Sequence, residues 1–350
     1  MKNLLITGGC GFIGSNFIRF LFYETDFDGK VINVDKLTYC ADPDSLNTIE
    51  KRYPDRYHLI RGDIADHEFM EEVFKRYEID AVCNFAAQSH VDRAIVDPSE
   101  FISTNIVGTY CLLECVRKLS RFYLFHQVST DEVYGSIEME RVKEDAPFRP
   151  TNPYSASKAS ADHLVRSYAN TYGLPITISH SSNNLGPYQF PEKLVPLTIL
   201  NALEERPIPI YGDGRNIRDW LYVEDNCRAI WMIMCEGKRG QNYNVGSERE
   251  TENLELVSLL CDILDSIRRP KGIRQRRGLI RFIKDRPGHD RRYAMDCSKI
   301  KRELGWSPKY GIEEALDLTI RWYLGNLRWV EMMKKRLNGW IKSHYGKEFL

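Results

Sequence analysis

The glycine-rich turn near the N-terminus restricts the fold of this chain more than any other feature. Gly8, Gly11 and Gly14 have the spacing GxxGxxG, after a strand-like run at Lys2–Thr7 and before a helix-like run at Ile13–Tyr23. Glycine permits a tight turn and lets the backbone approach a pyrophosphate, and the free N–H groups at a helix start bind that anion. The turn therefore predicts the first βα unit of a dinucleotide-binding fold.

Strand-like and helix-like runs alternate through the first third of the chain, which predicts βαβ units. Further strands are expected at Lys30–Val34, Tyr57–Arg61, Ala81–Phe85 and Tyr123–Val128, and the C-terminal stretch Glu313–Tyr345 is expected to be helical. We therefore expect an α/β fold with a doubly wound, Rossmann-type parallel sheet and a smaller mixed α/β domain for the substrate. The first domain is expected to comprise residues 1–178 and about 217–246, and the second about 179–216 and 247–350.

Charge and composition narrow the classes of partner. Lys+Arg and Asp+Glu both number 49, so no global charge bias favours nucleic acid or an anionic membrane. The sequence has no stretch of roughly 18 apolar residues, its N-terminal apolar run is too short for a signal peptide, and its nine cysteines form no CxxC pair. We expect a cytoplasmic protein with reduced thiols and no metal site, with neither nucleic acid nor membrane as a partner.

The acidic residue after the second strand indicates which dinucleotide binds. Asp35 stands where a carboxylate accepts a hydrogen bond from the adenosine ribose and repels the extra phosphate of NADP. The sequence therefore favours NAD as the cofactor, although the neighbouring Lys36 weakens this discrimination. Asp63-Ile64 follows the third strand within reach of the adenine, and small residues in Phe85-Ala86-Ala87-Gln88-Ser89 let the backbone after the fourth strand pass close to the cofactor.

Tyr154 and Lys158 form a YxxxK pair that shares one face of a predicted helix. A nearby ammonium group and a nicotinamide cation favour the phenolate, so we expect the pKa of Tyr154 to fall from about 10 towards neutrality. A phenolate accepts the proton of a sugar hydroxyl while the hydride leaves for NAD. The pair therefore predicts the dehydrogenation of an alcohol beside the dinucleotide.

Two adjacent carboxylates follow the fifth strand, in the run Thr130-Asp131-Glu132. Dehydrogenation of an alcohol needs only the hydroxyl donor that Thr130 provides, whereas elimination of water needs a paired acid and base. Asp131 and Glu132 flank one ligand only if the strand has ended, and Gly135 shortly afterwards fits such an end. From spacing alone, a capping Asp and a solvated Glu explain the pair equally well.

Together these residues resemble the extended short-chain dehydrogenase/reductase superfamily and, within it, the family of dTDP-glucose 4,6-dehydratases. The glycine turn, Asp35, the YxxxK pair and Asn184-Leu185-Gly186-Pro187 carry the resemblance to the superfamily. The resemblance to the dehydratases covers nearly the whole chain, through Val34–Tyr39, Ser129–Gly135, Ser182–Leu194, Arg218–Asp225 and Asp285–Tyr293.

The resemblance implies a role for each matching residue. Tyr154, supported by Thr130 and Lys158, is expected to oxidise C4 of the glucosyl group of dTDP-glucose. Glu132 is then expected to remove the C5 proton, and Asp131 to protonate the C6 hydroxyl that leaves as water. Return of the hydride to C6 completes a 4-keto-6-deoxy sugar nucleotide.

The resemblance also implies the binding residues. NAD is expected to contact Gly8, Gly11, Phe12, Ile13, Gly14, Asp35, Lys36, Leu37, Thr38, Asp63, Ile64, Phe85, Ala86, Ala87, Ser89, Thr104, Tyr154, Lys158 and Asn184. The nucleotide sugar is expected to contact Ser89, Thr130, Asn183, Lys193, Leu194, Pro209, Ile210, Tyr211, Arg218, Asn253, Arg286 and His289. Guanidinium groups pair bidentately with phosphate oxygens, so Arg218 and Arg286 suit the diphosphate.

Several alternatives stay open. Family members form homodimers through two helices of each subunit, here Asn105–Leu119 and Ser157–Tyr172, whose apolar faces equally suit an intradomain core. A sugar-nucleotide 4-epimerase shares the C4 oxidation but does not need the two carboxylates, and a non-catalytic NAD sensor usually lacks the YxxxK pair. UDP- and CDP-glucose compete with dTDP-glucose as substrate. The basic run Arg268–Arg281 is either a solvated loop face or a contribution to a phosphate-bearing ligand.

Overall fold

The computed structural model describes the backbone of residues 1–344 and the side chains of residues 1–337. Twelve strands are β1 Asn3–Thr7, β2 Lys30–Asp35, β3 Tyr57–Arg61, β4 Ala81–Asn84, β5 Leu124–Thr130, β6 Ile176–Ser181, β7 Asn183–Leu185, β8 Ile208–Tyr211, β9 Ile217–Tyr222, β10 Gln241–Val245, β11 Glu250–Glu252 and β12 Ile280–Ile283. Tyr345, the predicted end of the C-terminal helical stretch, and residues 346–350 of the expected second domain lie outside the described residues.

The helices of the described chain are α1 Phe12–Glu24, α2 Asn47–Arg52, α3 His67–Tyr77, α4 Val91–Val96, α5 Ser99–Phe101, α6 Thr109–Arg117, α7 Pro153–Tyr172, α8 Leu194–Leu203, α9 Val223–Glu236, α10 Asn253–Ile267, α11 Ser298–Leu304, α12 Ile312–Gly325 and α13 Leu327–His344. Short 3-10 turns occur at Pro43–Leu46, Asp131–Tyr134 and Arg276–Leu279. Along residues 1–344, none of the helices combines the length and the apolar character that crossing a membrane requires.

Seven parallel strands form the central sheet in the order β10-β6-β5-β4-β1-β2-β3. The chain proceeds outward from β1 through β2 to β3, and on the other side from β4 through β5 to β6. Ligands of open parallel sheets bind where the strand order reverses, outside the carboxyl ends of the strands. The prediction of a doubly wound parallel sheet is confirmed, and its reversal lies between β1 and β4.

Helices cover both faces of this sheet through fully buried apolar side chains. On one face α1 and α9 contribute Phe17 and Ile230, and on the other α3, α6 and α7 contribute Val73, Leu112 and Val165. Complete burial of each such side chain contributes about 1.5–3 kcal/mol. The two layers therefore hold the carboxyl ends of the strands in fixed positions.

A smaller region follows directly after β6. It contains a three-stranded sheet, β11-β9-β7, and a parallel pair, β12-β8. Helices α8, α10 and α12 pack around Ile199, Leu260 and Leu316. Between β9 and β11 the chain returns through α9 to the central sheet, where β10 pairs with β6.

The segment predicted as one helix at Asn105–Leu119 differs from the prediction. The helical path begins earlier, at Ser99, continues as a π-helix over Ile102–Gly108, and ends at Arg117. π-Helical turns are often found at functional sites. Here the π-helix contains Thr104, one of the residues predicted to contact the cofactor.

Candidate active site

The glycine turn is shaped so that only glycine fits at two of its positions. Gly8 has φ +67°, and a Cβ atom on it would lie 2.7 Å from Cα of Ala86. A Cβ atom on Gly14 would lie 2.5 Å from the carbonyl oxygen of Gly8. Helix α1 starts directly afterwards, and no described side chain caps it at Gly11. Its first N–H groups therefore remain available to a phosphate, as a dinucleotide site requires.

A cavity of about 230 Å³ opens beside this turn, and we call it the glycine-turn cavity. The residues predicted to bind NAD that line it are Gly8, Gly11, Phe12, Ile13, Gly14, Asp35, Lys36, Thr38, Asp63, Ile64, Phe85, Ala86, Ala87, Ser89, Thr104, Tyr154 and Lys158. Two predicted residues lie elsewhere. Asn184 lines the adjoining cavity. Leu37 lines neither cavity; it has φ +55°, and its N–H donates a hydrogen bond to Asp35.

Asp35 and Lys36 differ in their hydrogen bonds and ion pairs with the rest of the protein. The Asp35 carboxylate accepts hydrogen bonds from the N–H groups of Cys10 (2.9 Å) and Leu37 (2.8 Å), which leaves lone pairs for further donors. The Lys36 ammonium lies 2.9 Å from Asp63 and 3.3 Å from Glu100, and its pKa is raised chiefly by its hydrogen bond to Asp63. Because two carboxylates already neutralise Lys36, its charge does little to attract an extra phosphate.

A second cavity of about 290 Å³ adjoins the first, and we call it the Glu132 cavity. Every residue predicted to contact the nucleotide sugar lines it: Ser89, Thr130, Asn183, Lys193, Leu194, Pro209, Ile210, Tyr211, Arg218, Asn253, Arg286 and His289. Tyr154 lines both cavities, and Glu132 lines the second. The structure thus collects residues from opposite ends of the chain around one continuous space.

The end of β5 positions the two predicted carboxylates. The strand stops at Thr130, whose hydroxyl oxygen accepts the N–H of Glu132 at 3.3 Å and starts a 3-10 turn. The expected strand end is therefore confirmed, and the cap is Thr130 rather than Asp131. Glu132 faces the cavity, whereas Asp131 is 4% exposed, is absent from both walls and accepts a hydrogen bond from Thr130 at 3.2 Å.

Burial and the charges around the end of β5 determine the protonation state that Asp131 favours. Burial, followed by the neighbouring Glu132 carboxylate, raises the pKa of Asp131 well above its usual range, while Arg218 opposes this. Tyr293 lies on the other side of Glu132, with its hydroxyl 3.3 Å from the Glu132 carboxylate and 2.8 Å from Asp290. Asp131 is thus the carboxyl that the protein favours in its neutral, proton-bearing form.

The helix that carries the YxxxK pair has a well-defined start. Pro153 is its first residue, and Asn152 and Ser155 form a reciprocal capping box. Lys158 is 4% exposed, and its ammonium donates to the carbonyl of Val128 at 2.7 Å. Burial lowers the pKa of Lys158, and Asp162, one turn further along, raises it.

The protein's own groups raise the pKa of Tyr154, whereas the predicted fall also counts the nicotinamide cation of bound NAD. Burial raises the pKa of Tyr154 well above its usual value, and Glu132 raises it further, while a hydrogen bond with Thr130 lowers it. The prediction counted the ammonium of Lys158 and a nicotinamide cation, but not the two carboxylates that the 3-10 turn brings close to Tyr154. Formation of the phenolate therefore has to overcome burial and these two carboxylates.

Sequence reasoning missed two buried carboxylates in the Glu132 cavity. Glu192 accepts hydrogen bonds from Tyr39 (2.7 Å) and Arg93 (3.2 Å) and lines both cavities. Asp92 accepts hydrogen bonds from the Tyr211 hydroxyl at 3.0 Å and from Arg286 at 3.1 Å. These partners are distant in sequence, so no local spacing could have indicated them.

The basic run belongs to neither cavity. Arg276 is 1% exposed and lies 2.6 Å from Asp265, and Arg277 pairs with Asp262 on the surface. In the part of the chain that the structure describes, no residue of Arg268–Arg281 lines either cavity. Its buried arginine is a packing element, which disfavours the phosphate-ligand interpretation.

Within residues 1–337, no three His, Cys, Asp or Glu side chains are grouped so as to hold a metal ion.

The likeness to known proteins extends over nearly the whole chain. Residues 5–319 match the family model described as GDP-mannose 4,6 dehydratase. The chain is 48% identical to a dTDP-glucose 4,6-dehydratase of Salmonella typhimurium, with 98% of each chain covered. A crystal structure of dTDP-glucose 4,6-dehydratase from Bacillus anthracis in complex with NAD is 41% identical, with a TM-score of 0.84 over 95% of this chain and 100% of that chain. DesIV, a dTDP-glucose 4,6-dehydratase of Streptomyces venezuelae with NAD bound, is 40% identical, with a TM-score of 0.88 over the same shares.

Proposed function

The chain belongs to the family of dTDP-glucose 4,6-dehydratases, and from this membership we propose that it converts dTDP-glucose into dTDP-4-keto-6-deoxyglucose with bound NAD. One observation carries the proposal. Tyr154 and Glu132 line a single cavity, and the buried carboxyl of Asp131 stands beside Glu132. These are the three proton-transfer groups that an oxidation followed by loss of water requires.

The glycine-turn cavity fits NAD. Gly8 and Gly14 leave room for a pyrophosphate, and the Asp35 carboxylate keeps lone pairs for the ribose hydroxyls. Neutralisation of Lys36 by Asp63 and Glu100 supports NAD over NADP. When bound, NAD supplies a hydride acceptor for C4 and a hydride donor for C6.

Tyr154 acts as the base for the C4 hydroxyl. Burial and nearby carboxylates raise its pKa, and the positive charge of bound NAD would favour loss of the Tyr154 proton. The buried ammonium of Lys158 supports the phenolate, and Thr130 offers a hydroxyl to the same oxygen.

Asp131 and Glu132 take different roles in the elimination of water. The raised pKa of Asp131 favours a neutral carboxylic acid, which donates its proton to the leaving C6 hydroxyl. Glu132 faces the cavity and takes the C5 proton, which the C4 ketone has made acidic. Arg286, His289 and Arg218 line the same cavity and suit the diphosphate.

We also propose that the protein is a cytoplasmic homodimer of two-domain chains, with the domain limits expected from the sequence. The helical path Ser99–Arg117 and helix α7 expose apolar side chains that a second copy would cover. Ile102, Val107, Tyr110 and Tyr172 are 51%, 41%, 44% and 52% exposed. Analytical ultracentrifugation tests this, because replacing Tyr110 and Tyr172 by Ser should yield monomers.

Isotope tracing tests the reaction itself. With dTDP-glucose deuterated at C4, the product should carry deuterium at C6 and lack the C6 oxygen, and reaction in heavy water should label C5. Parallel incubations with UDP- and CDP-glucose, with products analysed by mass, compare the three nucleotide sugars as substrates.

Asp131→Asn and Glu132→Gln should each stop water loss while leaving C4 oxidation. Return of the label to C4 with the oxygen retained would instead identify a 4-epimerase, and no transfer at all a non-catalytic binding protein.

A further inference from the structure

The indole N–H of Trp220 is a buried donor without an acceptor in the wall of the Glu132 cavity. Trp220 is 7% exposed and lines this cavity, and within residues 1–337 nothing accepts a hydrogen bond from its Nε1 atom. Buried donors in folded proteins are nearly always paired with protein or water. An unpaired donor on a cavity wall therefore points to a group that enters the cavity.

The same wall collects other unpaired polar atoms. Counting partners in the described chain alone, Asn183 Oδ1, Asn253 Oδ1 and Arg286 Nε are buried without a hydrogen bond. Asn183 on β7 stands opposite Trp220 on β9 in the strand register. All three residues are among those proposed to bind the nucleotide sugar, whereas Trp220 lies in the matching stretch Arg218–Asp225 without an expected role.

The chemistry of the donor restricts its ligand. An indole N–H only donates, so its partner is an acceptor such as an oxygen atom. Arg218 and Trp220 occupy alternate positions of β9 and hence point to the same side of the strand, and Arg286 lines the same cavity. Two guanidinium groups on the wall of this cavity favour an anionic ligand.

We propose that Trp220 is a further ligand-binding residue, which donates its indole N–H to a phosphate oxygen of the bound nucleoside diphosphate. This inference rests on the proposed function, because it takes the ligand to be a nucleotide sugar. The ring belongs to the buried apolar cluster that also contains Val195, Ile199 and Ile210, which restricts the direction of the N–H. The donor is thus oriented before the ligand arrives.

Calorimetric titration of the purified holoenzyme with dTDP and with thymidine tests the proposal. Trp220→Phe should bind dTDP about tenfold more weakly, the worth of one hydrogen bond to a charged group, and thymidine unchanged. Since phenylalanine also removes ring volume, a second variant carries 3-benzothienylalanine at position 220, which keeps the bicyclic shape and replaces the N–H by sulfur. This isostere should show the same loss for dTDP and an unchanged melting temperature without ligand.

Trp306→Phe is the matched control. Its Nε1 donates to the carbonyl of Asp225 at 3.2 Å, and Trp306 is fully buried and lines neither cavity. This variant should melt at a lower temperature and bind dTDP as tightly as the native protein.

Three results would overturn the inference. Native affinity for dTDP in the isostere would show that the N–H does not touch the ligand. An equal loss of affinity for thymidine would place the acceptor on the nucleoside rather than on the diphosphate. Failure of the native protein to bind dTDP would contradict the proposed function as well as this inference. The first two results would contradict this inference alone.

Discussion

The glycine-turn cavity and the Glu132 cavity adjoin each other, but different parts of the structure shape them. Backbone shapes the first, where Gly8 and Gly14 leave space and the Asp35 carboxylate is held by two N–H groups. Side chains from distant segments shape the second, where Tyr211 and Arg286 meet at Asp92. The second wall also holds Asn183, Trp220, Asn253 and Arg286, each with a buried polar atom that pairs with no described residue.

This difference indicates which ligand each cavity suits. A wall shaped by backbone keeps its form when empty, so it suits a cofactor that stays in place. A wall of unpaired donors and acceptors gains most when a matching polar ligand enters and is left unsatisfied when the ligand departs. Such a wall suits a substrate that must be recognised at each turnover.

Tyr154→Phe should have the largest effect, because Tyr154 lines both cavities. Removal of the hydroxyl that serves as base should slow C4 oxidation about 10³-fold. Single-turnover absorbance of the reduced cofactor measures this step. The amount of NAD in the purified protein should not change, and a normal transient of reduced cofactor would remove Tyr154 from the mechanism.

Gly8→Ala should damage the glycine-turn cavity alone. The new methyl group would collide with the backbone of Ala86, so affinity for NAD should fall about a hundredfold. Gly240→Ala is the control, because Gly240 has φ +80° with no described atom near its Cβ position. It should cost about 1–2 kcal/mol of stability and leave NAD affinity unchanged. Equal NAD affinity in both variants would refute the steric explanation.

Asp162→Asn should act on the Lys158 ammonium through charge. Asp162 raises the pKa of the buried Lys158, so its removal lets that pKa fall. Activity that needs the ammonium form is lost as pH rises through this pKa, and the loss should therefore occur at lower pH in the variant. About tenfold lower activity is expected above neutral pH, with partial recovery on acidification. Ser129→Ala removes the hydroxyl that donates to Asp162 at 2.6 Å and keeps the carboxylate, so its pH profile should match the native one.

The smallest effect is expected in the central sheet, away from both cavities. His126 is fully buried between Thr177 and Ser179, and burial lowers its pKa to about 3. The unfolded chain takes up this proton near pH 6.5 and the folded chain does not, so stability is complete above that pH and is lost as pH falls towards 3. His126→Gln should lessen the pH slope of the unfolding free energy by up to about 1.4 kcal/mol per pH unit. An unchanged slope in urea titrations would contradict the burial argument.

The sequence predicted well what neighbouring residues determine. The βαβ alternation, the strict glycines and the strand end at Thr130 follow from local chemistry, and the structure has all of them. Burial and a carboxylate on another element raise the pKa of Tyr154, and local spacing indicated neither effect. Asp92, Glu192 and Trp220 were missed for the same reason, since their surroundings exist only after the smaller region has packed against the sheet.

The return of the chain to the central sheet has a consequence for biosynthesis. Strand β6 keeps an unpaired edge until β10 is available, and β10 ends at Val245. A ribosome adds roughly 5–20 residues per second, so this edge waits for several seconds while the intervening segment emerges. Exposed strand edges pair readily with other chains. We therefore expect nascent chains that stall before Val245 to be the species most dependent on chaperones.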